Sequence, residues 1–420
     1  MNRRDFFKAS TLVGFSNTFL HIAKGAGYWT FIHSENELKM SALFSMQTFA
    51  QEFPNLKASK NFLKDYSQKT FSQMQADRSH DWIKTTFKFT KDVFDEITPS
   101  FTQSPAREGA FHILDYPLRI ENKHRFVSKE TKEMWYSAMH EIFGANSRKL
   151  INSIENSKPE NSVDIFKFYN VSTVVKSKDV CIAIDLRSQF EIPFSNDEIN
   201  ALVKNIDALF ITHHHGDHID IALIEAFLKA GKKVYAPHIT TVFKDIAKKY
   251  PKNFVVIFPE NKCEIIEVEN AKMHVYGSRH LIWSNKEKAC PNNVYLLEIA
   301  GKKIVHTGDN GTVATYERIA EEHKVDVLMP AIWAKMITAI YVIRPEKVIP
   351  IHEQELNHPV HSRVQYRWFF NQIDDMKTGN AEYDPNEISW TYEQVKKFKS
   401  TSNGYFPKYA VLAHSEKIKI

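Results

Sequence analysis

The stretch Thr212-His213-His214-His215-Gly216-Asp217-His218 directly follows the apolar run Ala208-Leu209-Phe210-Ile211. Positions i and i+2 of an extended chain point to the same side, so His213 and His215 face one way. Gly216 permits a sharp turn, which brings the following carboxylate and imidazole toward a neighbouring position. Zinc accepts nitrogen and oxygen ligands of these types. The stretch therefore predicts a metal site at the end of a buried strand, against the alternative of a solvated run of surface histidines.

Three later strand ends also carry side chains of the types that bind metals. His280 follows an alternating run, Asp309 ends a buried run in a Thr-Gly-Asp turn, and His352 closes an apolar run. The simpler interpretations are a half-exposed histidine, a turn aspartate, and a competing role for the nearby His358 or His361. The strand-end positions favour side chains that meet along one edge of a sheet.

The motif His-x-His-x-Asp-His and these strand ends resemble the metallo-β-lactamase superfamily of binuclear metallohydrolases. The resemblance implies an α/β fold, the αββα sandwich, here with an N-terminal helical extension. It also implies seven ligands in the superfamily's order: His213, His215 and His280 on the first metal, Asp217, His218 and His352 on the second, and Asp309 bridging both. Diiron oxygen-reducing members carry Glu where His215 stands. Two zinc ions are therefore the expected cofactors, with Mn²⁺ or Fe as alternatives.

The resemblance implies hydrolysis by a hydroxide shared between two ions roughly 3.5–4 Å apart. Asp217 is then the catalytic residue, a ligand that also orients this hydroxide. Asp185 ends a buried strand and is predicted to orient a ligand or the ligand loop, with a simple turn aspartate as the alternative. His238 is a candidate proton donor to the leaving group, and Arg279 a candidate partner for an anionic substrate group. A surface histidine and a salt-bridge arginine are the simpler interpretations of these two.

The sequence around the predicted ligands, such as Pro350-Ile351-His352-Glu353, is similar to that of one branch of the superfamily. That branch contains bacterial ascorbate-6-phosphate lactonase and the phospholipase D that hydrolyses N-acyl-phosphatidylethanolamine. Members of that branch have a motif with glycine and histidine in the first hairpin, where this chain has the sequence Phe168-Tyr169-Asn170-Val171-Ser172-Thr173. The expected reaction is hydrolysis of a phosphodiester or of a lactone or ester bond in a small molecule or lipid. The alternatives are a metal-retaining binding or scaffold protein without turnover, and a β-lactamase-type amide hydrolase.

The composition is that of a soluble globular protein, with 43% hydrophobic and 25% charged residues among 420 and a net charge of +5. The basic residues are scattered and are not interleaved with aromatic ones, which argues against a nucleic-acid partner. No segment has the length and apolarity of a transmembrane span. Three cysteines cannot form a disulfide framework; Cys181 and Cys263 are predicted to be small core residues and Cys290 a loop residue.

The N-terminal segment Asn2-Arg3-Arg4-Asp5-Phe6-Phe7-Lys8 is similar to a twin-arginine export motif, and a short apolar stretch follows it. Residues 1–27 are therefore predicted to be a twin-arginine signal segment that directs the protein to the periplasm. A basic tail on a cytoplasmic protein is the alternative.

The rest of the chain is predicted to contain two parts. Residues 28–156 are expected to form amphipathic helices, including 35–49 and 128–143, whose role is either core packing or a lid. A polar run at 157–162 indicates a linker. Residues 163–420 are expected to form the metallo-β-lactamase-like hydrolase domain, in which strands and helices alternate.

Overall fold

The computed structural model describes residues 35–66, 81–118, 128–188, 193–238, 240–260, 262–281, 290–353, 366–378 and 405–420. The predicted signal segment 1–27, together with His358 and His361, lies outside these residues. The chain divides into two compact units. The first comprises Met1–Thr98, Ser104–Ile142 and Leu356–Arg367, and the second comprises Pro99–Gln103, Phe143–Glu355 and Trp368–Ile420. The polar run 157–162, predicted to be a linker, falls inside the second unit.

The first unit is helical in its described residues. Its helices are α1 (Glu35–Glu52), α2 (Lys57–Tyr66), α3 (Asp81–Glu96), α4 (Pro105–Leu118) and α5 (Lys129–Met139). Aromatic rings join them: Phe89 of α3 meets Phe49 of α1 edge-on at 5.2 Å and Phe62 of α2 at 5.5 Å between centroids. Such T-shaped pairs bury large apolar area in a favourable geometry. The predicted helix 128–143 starts as expected, with the Ser128 hydroxyl accepting from the Thr131 N–H, but a π-helical turn replaces its last residues.

The second unit contains two seven-stranded sheets. The strands of the first sheet are β1 (Asp164–Lys167), β2 (Thr173–Lys176), β3 (Cys181–Ile184), β4 (Ala208–Phe210), β5 (Lys233–Ala236), β6 (Phe254–Val256) and β14 (Glu416–Lys419), in the order β14-β1-β2-β3-β4-β5-β6. Strands β3 to β6 run parallel, and the hairpins before them are antiparallel. The carboxyl ends of these parallel strands therefore lie along one edge.

The strands of the second sheet are β7 (Cys263–Val268), β8 (Ala271–Arg279), β9 (Pro291–Ile299), β10 (Lys302–His306), β11 (Val327–Met329), β12 (Lys347–Val348) and β13 (Lys408–Tyr409). They follow the order β13-β12-β11-β10-β9-β8-β7, antiparallel from β7 to β10 and parallel from β10 to β13. The remaining helices of the unit are α6 (Ala145–Asn156), α7 (Asn196–Asn205), α8 (Ile221–Lys229), α9 (Lys244–Lys249), α10 (Val313–Glu322), α11 (Met336–Ile343) and α12 (Tyr366–Thr378), of which α12 begins in the first unit.

The two sheets pack face to face, with helices on their outer faces. The Tyr295 hydroxyl of β9 donates to the Ile211 carbonyl at 2.7 Å, and its ring meets Phe210 of β4 at 5.4 Å. Apolar residues of α6, α7 and α8 cover the first sheet, while α10 is tied to β8 by a hydrogen bond from the Tyr276 hydroxyl to Glu322 (2.6 Å). This arrangement is the αββα sandwich, and the predicted fold class is confirmed.

Some local predictions are corrected. Strands and helices do not alternate between β7 and β10. A two-residue turn at Glu269-Asn270 joins β7 to β8, and another at Ala300-Gly301 joins β9 to β10. Glu269, Ala300 and Gly301 have positive φ. Cys263 is half-buried on the edge strand β7 rather than in the core, whereas Cys181 is buried as predicted. Among the described helices, none combines the length and apolarity needed to cross a bilayer.

Candidate metal centre

All seven predicted ligands meet at one edge of the sandwich. They follow the carboxyl ends of β4, β8, β10 and β12, which bring residues from four parts of the chain together. Asp309 is central, since its Oδ2 atom lies 3.2 Å from the Nε2 atoms of both His280 and His352. The same oxygen lies 3.6 Å from His218 Nε2 and 3.9 Å from His213 Nε2. One carboxylate oxygen thus faces four imidazoles.

Three overlapping groups have ligand atoms close enough to share an ion. They are His213, His215 and His280; His213, His218 and Asp309; and Asp217, His218 and His352, with all ligand atoms of a group within 4.8 Å of one another. The first and third groups are the two ligand sets that the resemblance implies. In the third group, Asp217 Oδ2 lies 3.1 Å from His352 Nε2 and 3.3 Å from His218 Nε2, so one carboxylate oxygen faces both imidazoles.

The donor atoms at this centre lack hydrogen-bond partners within the described residues. Buried atoms in this state include Nε2 of His213, His218 and His280 and Oδ1 of Asp309. A buried polar atom without a partner costs about 1–3 kcal/mol. Several such acceptors around one point fit a cation, because a metal ion accepts lone pairs from all of them at once.

The protonation states also suit metal binding. Burial, followed by the neighbouring His218, lowers the pKa of His213 well below its usual value, so this ring is neutral at neutral pH. Burial alone would raise the pKa of Asp309, but His352 and His218 hold it well below its usual value. Burial likewise opposes the charge on His218, yet the carboxylates of Asp217 and Asp185 raise its pKa well above the usual value. A cation at His218 would replace the proton that these carboxylates favour.

Asp185 orients the ligand strand from behind. Its Oδ1 atom accepts from the Thr212 N–H at 2.7 Å, and its Oδ2 atom accepts from the Thr212 hydroxyl at 2.6 Å and lies 2.8 Å from His218 Nδ1. A carboxylate on Nδ1 holds the ring so that Nε2 faces the metal. Asp185 is fully buried and adopts a φ of +48°, which aspartate tolerates better than most residues.

We expect Asp185→Asn to lower metal affinity about 10- to 100-fold, because asparagine keeps the size and the backbone conformation but loses the charge behind His218. Competition with a chelating dye measures this affinity. Asp220→Asn is a suitable control, since Asp220 caps α8 and accepts from Leu223 N–H on the far side of the same loop. An unchanged affinity in Asp185→Asn would show that this carboxylate does not act on the ligand ring.

Backbone geometry places two of the ligands. Gly308, at a φ of +51°, lies so close to its neighbours that a Cβ atom would come 2.6 Å from Asn292 Oδ1 and 2.7 Å from Thr212 Cβ. Only glycine fits there, and it turns the chain so that Asp309 faces the centre. His352 has a φ of +66°, an uncommon conformation for histidine that the surrounding structure must hold.

The candidates His238 and Arg279 and two further histidines lie around the centre. His214 lies on the other side of the strand end, where its ring meets His238 at 5.1 Å, and both rings have a pKa lowered chiefly by burial. His238 therefore lies beside the centre rather than among its ligand groups. The Arg279 guanidinium forms a salt bridge with Glu260, the simpler interpretation given above. His306 is buried, with Nε2 3.1 Å from the Val171 carbonyl.

Three residues near the centre were not predicted from the sequence. The Asn170 amide donates to Asp217 Oδ2 at 3.3 Å. The buried ring of Trp333 lies 5.5 Å from the His280 ring and 5.6 Å from the His352 ring. Cys290 Sγ lies 4.0 Å from His215 Nε2, and burial raises the pKa of its thiol to about 11. The only sequence signal for Asn170 was its place in the first-hairpin segment 168–173, which differs from the motif of the ascorbate-6-phosphate lactonase branch.

We expect chelation of the metal to lower the melting temperature. An ion that binds only the folded state at 100 times its dissociation constant stabilises by about 2.7 kcal/mol, which corresponds to roughly 5–10 °C for a unit of this size. Thermal unfolding with zinc and with excess EDTA measures the shift. Equal melting temperatures would indicate that no ion is bound in the folded protein.

Residues 166–352 match the family model described as a β-lactamase superfamily domain. This region is similar to the metallo-β-lactamase superfamily. A metal-dependent hydrolase of Staphylococcus saprophyticus is 29% identical over 174 residues, which cover 37% of this chain and 71% of that protein. A metal-dependent hydrolase of Pyrococcus furiosus is 27% identical over 158 residues, which cover 36% and 67% of the two proteins. Among solved structures, a metallo hydrolase of the archaeon Ignicoccus hospitalis is 23% identical with a TM-score of 0.40, over 62% of this chain and 98% of that one.

The predicted enzyme class, a metal-dependent hydrolase of the metallo-β-lactamase superfamily, is confirmed at that level. The finer placement beside ascorbate-6-phosphate lactonase and the N-acyl-phosphatidylethanolamine phospholipase D stays a prediction. So do the identity and number of the metals.

Proposed function

We propose that the metallo-β-lactamase unit binds two zinc ions and hydrolyses a phosphodiester or a lactone or ester bond. The observation that carries this proposal is the convergence of seven histidine and aspartate side chains at one edge of the sandwich, where the buried Nε2 atoms of His213, His218 and His280 have no hydrogen-bond partner among the described residues. Such a set has little structural purpose without cations, because buried acceptors without partners destabilise a fold.

Each residue has a role in this proposal. The first ion would be held by His213, His215 and His280, and the second by Asp217, His218 and His352, with Asp309 shared. When bound, such ions supply an activated water nucleophile and polarise the bond that is attacked. Asp217 would also orient the nucleophile, and its carboxylate is ionised, because burial raises its pKa but His218 and His352 hold that pKa well below the usual value. Asp185 keeps the His218 ring in its orientation.

The charge of the centre favours an anionic or strongly polarised substrate. Asp217 and Asp309 are the two carboxylates among the proposed ligands, and they only partly offset two divalent ions. A site of net positive charge attracts anions and stabilises negative charge that develops in the transition state. A phosphodiester suits this site best, and a lactone or ester follows because its carbonyl oxygen becomes negative during attack.

The test is hydrolysis of bis(p-nitrophenyl) phosphate, and of p-nitrophenyl acetate and a γ-lactone, by the zinc-loaded protein. Asp217→Ala should abolish turnover, while Asp245→Ala, which changes an exposed aspartate of α9, should not. Turnover of the diester alone supports a phosphodiesterase, and turnover of only the ester or the lactone supports an esterase or lactonase. Bound metal without turnover of any of these, or of a β-lactam, would contradict the hydrolase and favour a metal-retaining scaffold.

We also propose that the protein is exported to the periplasm by the twin-arginine route, on the basis of Arg3, Arg4 and the apolar stretch that follows. This route carries folded proteins, which suits a centre loaded with metal before export. Cell fractionation of the native sequence and of an Arg3→Lys, Arg4→Lys variant tests the proposal. Equal amounts in the cytoplasm for both would contradict it.

A further inference from the structure

Asn170 occupies the turn between β1 and β2. The turn is closed by hydrogen bonds from Phe168 N–H to the Ser172 carbonyl (2.9 Å) and from Ser172 N–H to the Tyr169 carbonyl (2.8 Å). Asn170 has a φ of +54° within it and is fully buried. Asparagine adopts this left-handed conformation more readily than most residues, and glycine adopts it freely. The turn by itself would therefore be served at least as well by glycine.

The side chain of Asn170 acts on the metal centre instead. Its Nδ2 atom donates to Asp217 Oδ2 at 3.3 Å. This is the oxygen that faces the Nε2 atoms of His218 and His352, at 3.3 and 3.1 Å. An N–H donor on that oxygen fixes the rotation of the carboxylate and stabilises its charged form. No other hydrogen bond to the Asp217 carboxylate is seen from a side-chain amide in the described residues.

The second atom of the amide supports the same conclusion. Asn170 Oδ1 is buried and has no hydrogen-bond partner among the described residues. A buried amide oxygen left unpaired costs about 1–3 kcal/mol, so a residue kept only for the turn would gain by losing it.

We propose that Asn170 is a positioning residue for the second metal: its amide orients Asp217 and so sets the affinity for the ion held by Asp217, His218 and His352. This inference rests on the proposed binuclear centre. It assigns a role to the part of the first hairpin where the sequence departs from its relatives. Residues that orient ligands typically contribute about 10- to 100-fold to metal affinity.

The decisive variant is Asn170→Gly, which keeps the left-handed turn and removes the amide. The matched control is Glu269→Gly, because Glu269 has a φ of +50° in the exposed turn between β7 and β8, away from the centre. Both variants replace a left-handed residue by glycine. Only the first removes a contact with Asp217.

The experiment titrates apoprotein with Zn²⁺ against a chelating dye and with Co²⁺ by absorption, for the native protein and both variants. We expect Asn170→Gly to weaken one of two binding steps about 10- to 100-fold, to leave the other within twofold, and to alter the Co²⁺ spectrum of the weakened step. Glu269→Gly should match the native protein. Unchanged steps in Asn170→Gly, or equal weakening of both, would overturn the positioning role. A native protein that binds no ion would instead overturn the proposed function.

Discussion

Asp309→Asn is expected to lower activity by more than the roughly 100-fold that marks residues which only orient a ligand. The reason is geometric. Asp309 Oδ2 lies between the two predicted ligand sets, 3.2 Å from His280 Nε2 of the first and 3.2 Å from His352 Nε2 of the second. An amide in its place removes the negative charge between the two proposed ion sites and presents either a neutral oxygen or an N–H group. We expect the loss in kcat/KM to accompany a loss of bound metal.

Asp326→Asn is the control for this substitution. Asp326 directly precedes β11 of the same sheet and accepts from Lys303 N–H at 2.9 Å, but it belongs to none of the metal groups. Steady-state hydrolysis of the best substrate and metal content are measured for both variants. Full activity and full metal content in Asp309→Asn would refute the bridging role.

Lys167→Met should have the largest effect on stability. Lys167 of β1 and Glu353 form an ion pair with both side chains fully buried, next to the ligand His352. The ammonium also reaches the carbonyls of Pro350 and Leu412, at 3.4 and 3.3 Å. Removing one partner leaves an uncompensated buried charge on Glu353, which typically costs about 3–5 kcal/mol. We therefore expect the free energy of unfolding to fall by about that amount.

The matched variant is the double substitution Lys167→Met, Glu353→Leu. It removes both charges, and buried pairs replaced by apolar residues of similar volume are often neutral or stabilising. Urea unfolding of the native protein, of Lys167→Met, of Glu353→Leu and of the double variant gives the coupling free energy. A single variant that loses less than about 1 kcal/mol would show that Lys167 does not hold the His352 segment through its charge.

The sequence predicted the metal centre better than the surroundings. Ligands such as His213 and Asp309 follow apolar strands and precede or follow glycine, so the pattern of residues carries both their chemistry and their place at a sheet edge. The pattern Ser-x-x-Glu at Ser195 and Glu198 likewise indicates a capping box, which is present at the start of α7. Each of these features depends on residues within a few positions of one another, so the sequence pattern is enough to predict it.

Residues that reach the centre from distant elements left no such signal. Asn170 lies 47 positions from Asp217 along the chain, and its role depends on a turn between two strands of the first sheet. Trp333 and Cys290 lie near ligands that come from other strands. The Lys167–Glu353 pair joins two segments that only the sandwich brings together. Tertiary packing sets these contacts, so periodicity and spacing do not predict them.

Metal content per chain tests the central claim most directly. The native protein, loaded with Zn²⁺ and freed of excess by gel filtration, should carry two zinc ions per chain by plasma mass spectrometry, and Asp309→Asn should carry fewer. A native protein with no bound metal, or with a single ion that Asp217→Ala leaves in place, would contradict a binuclear centre.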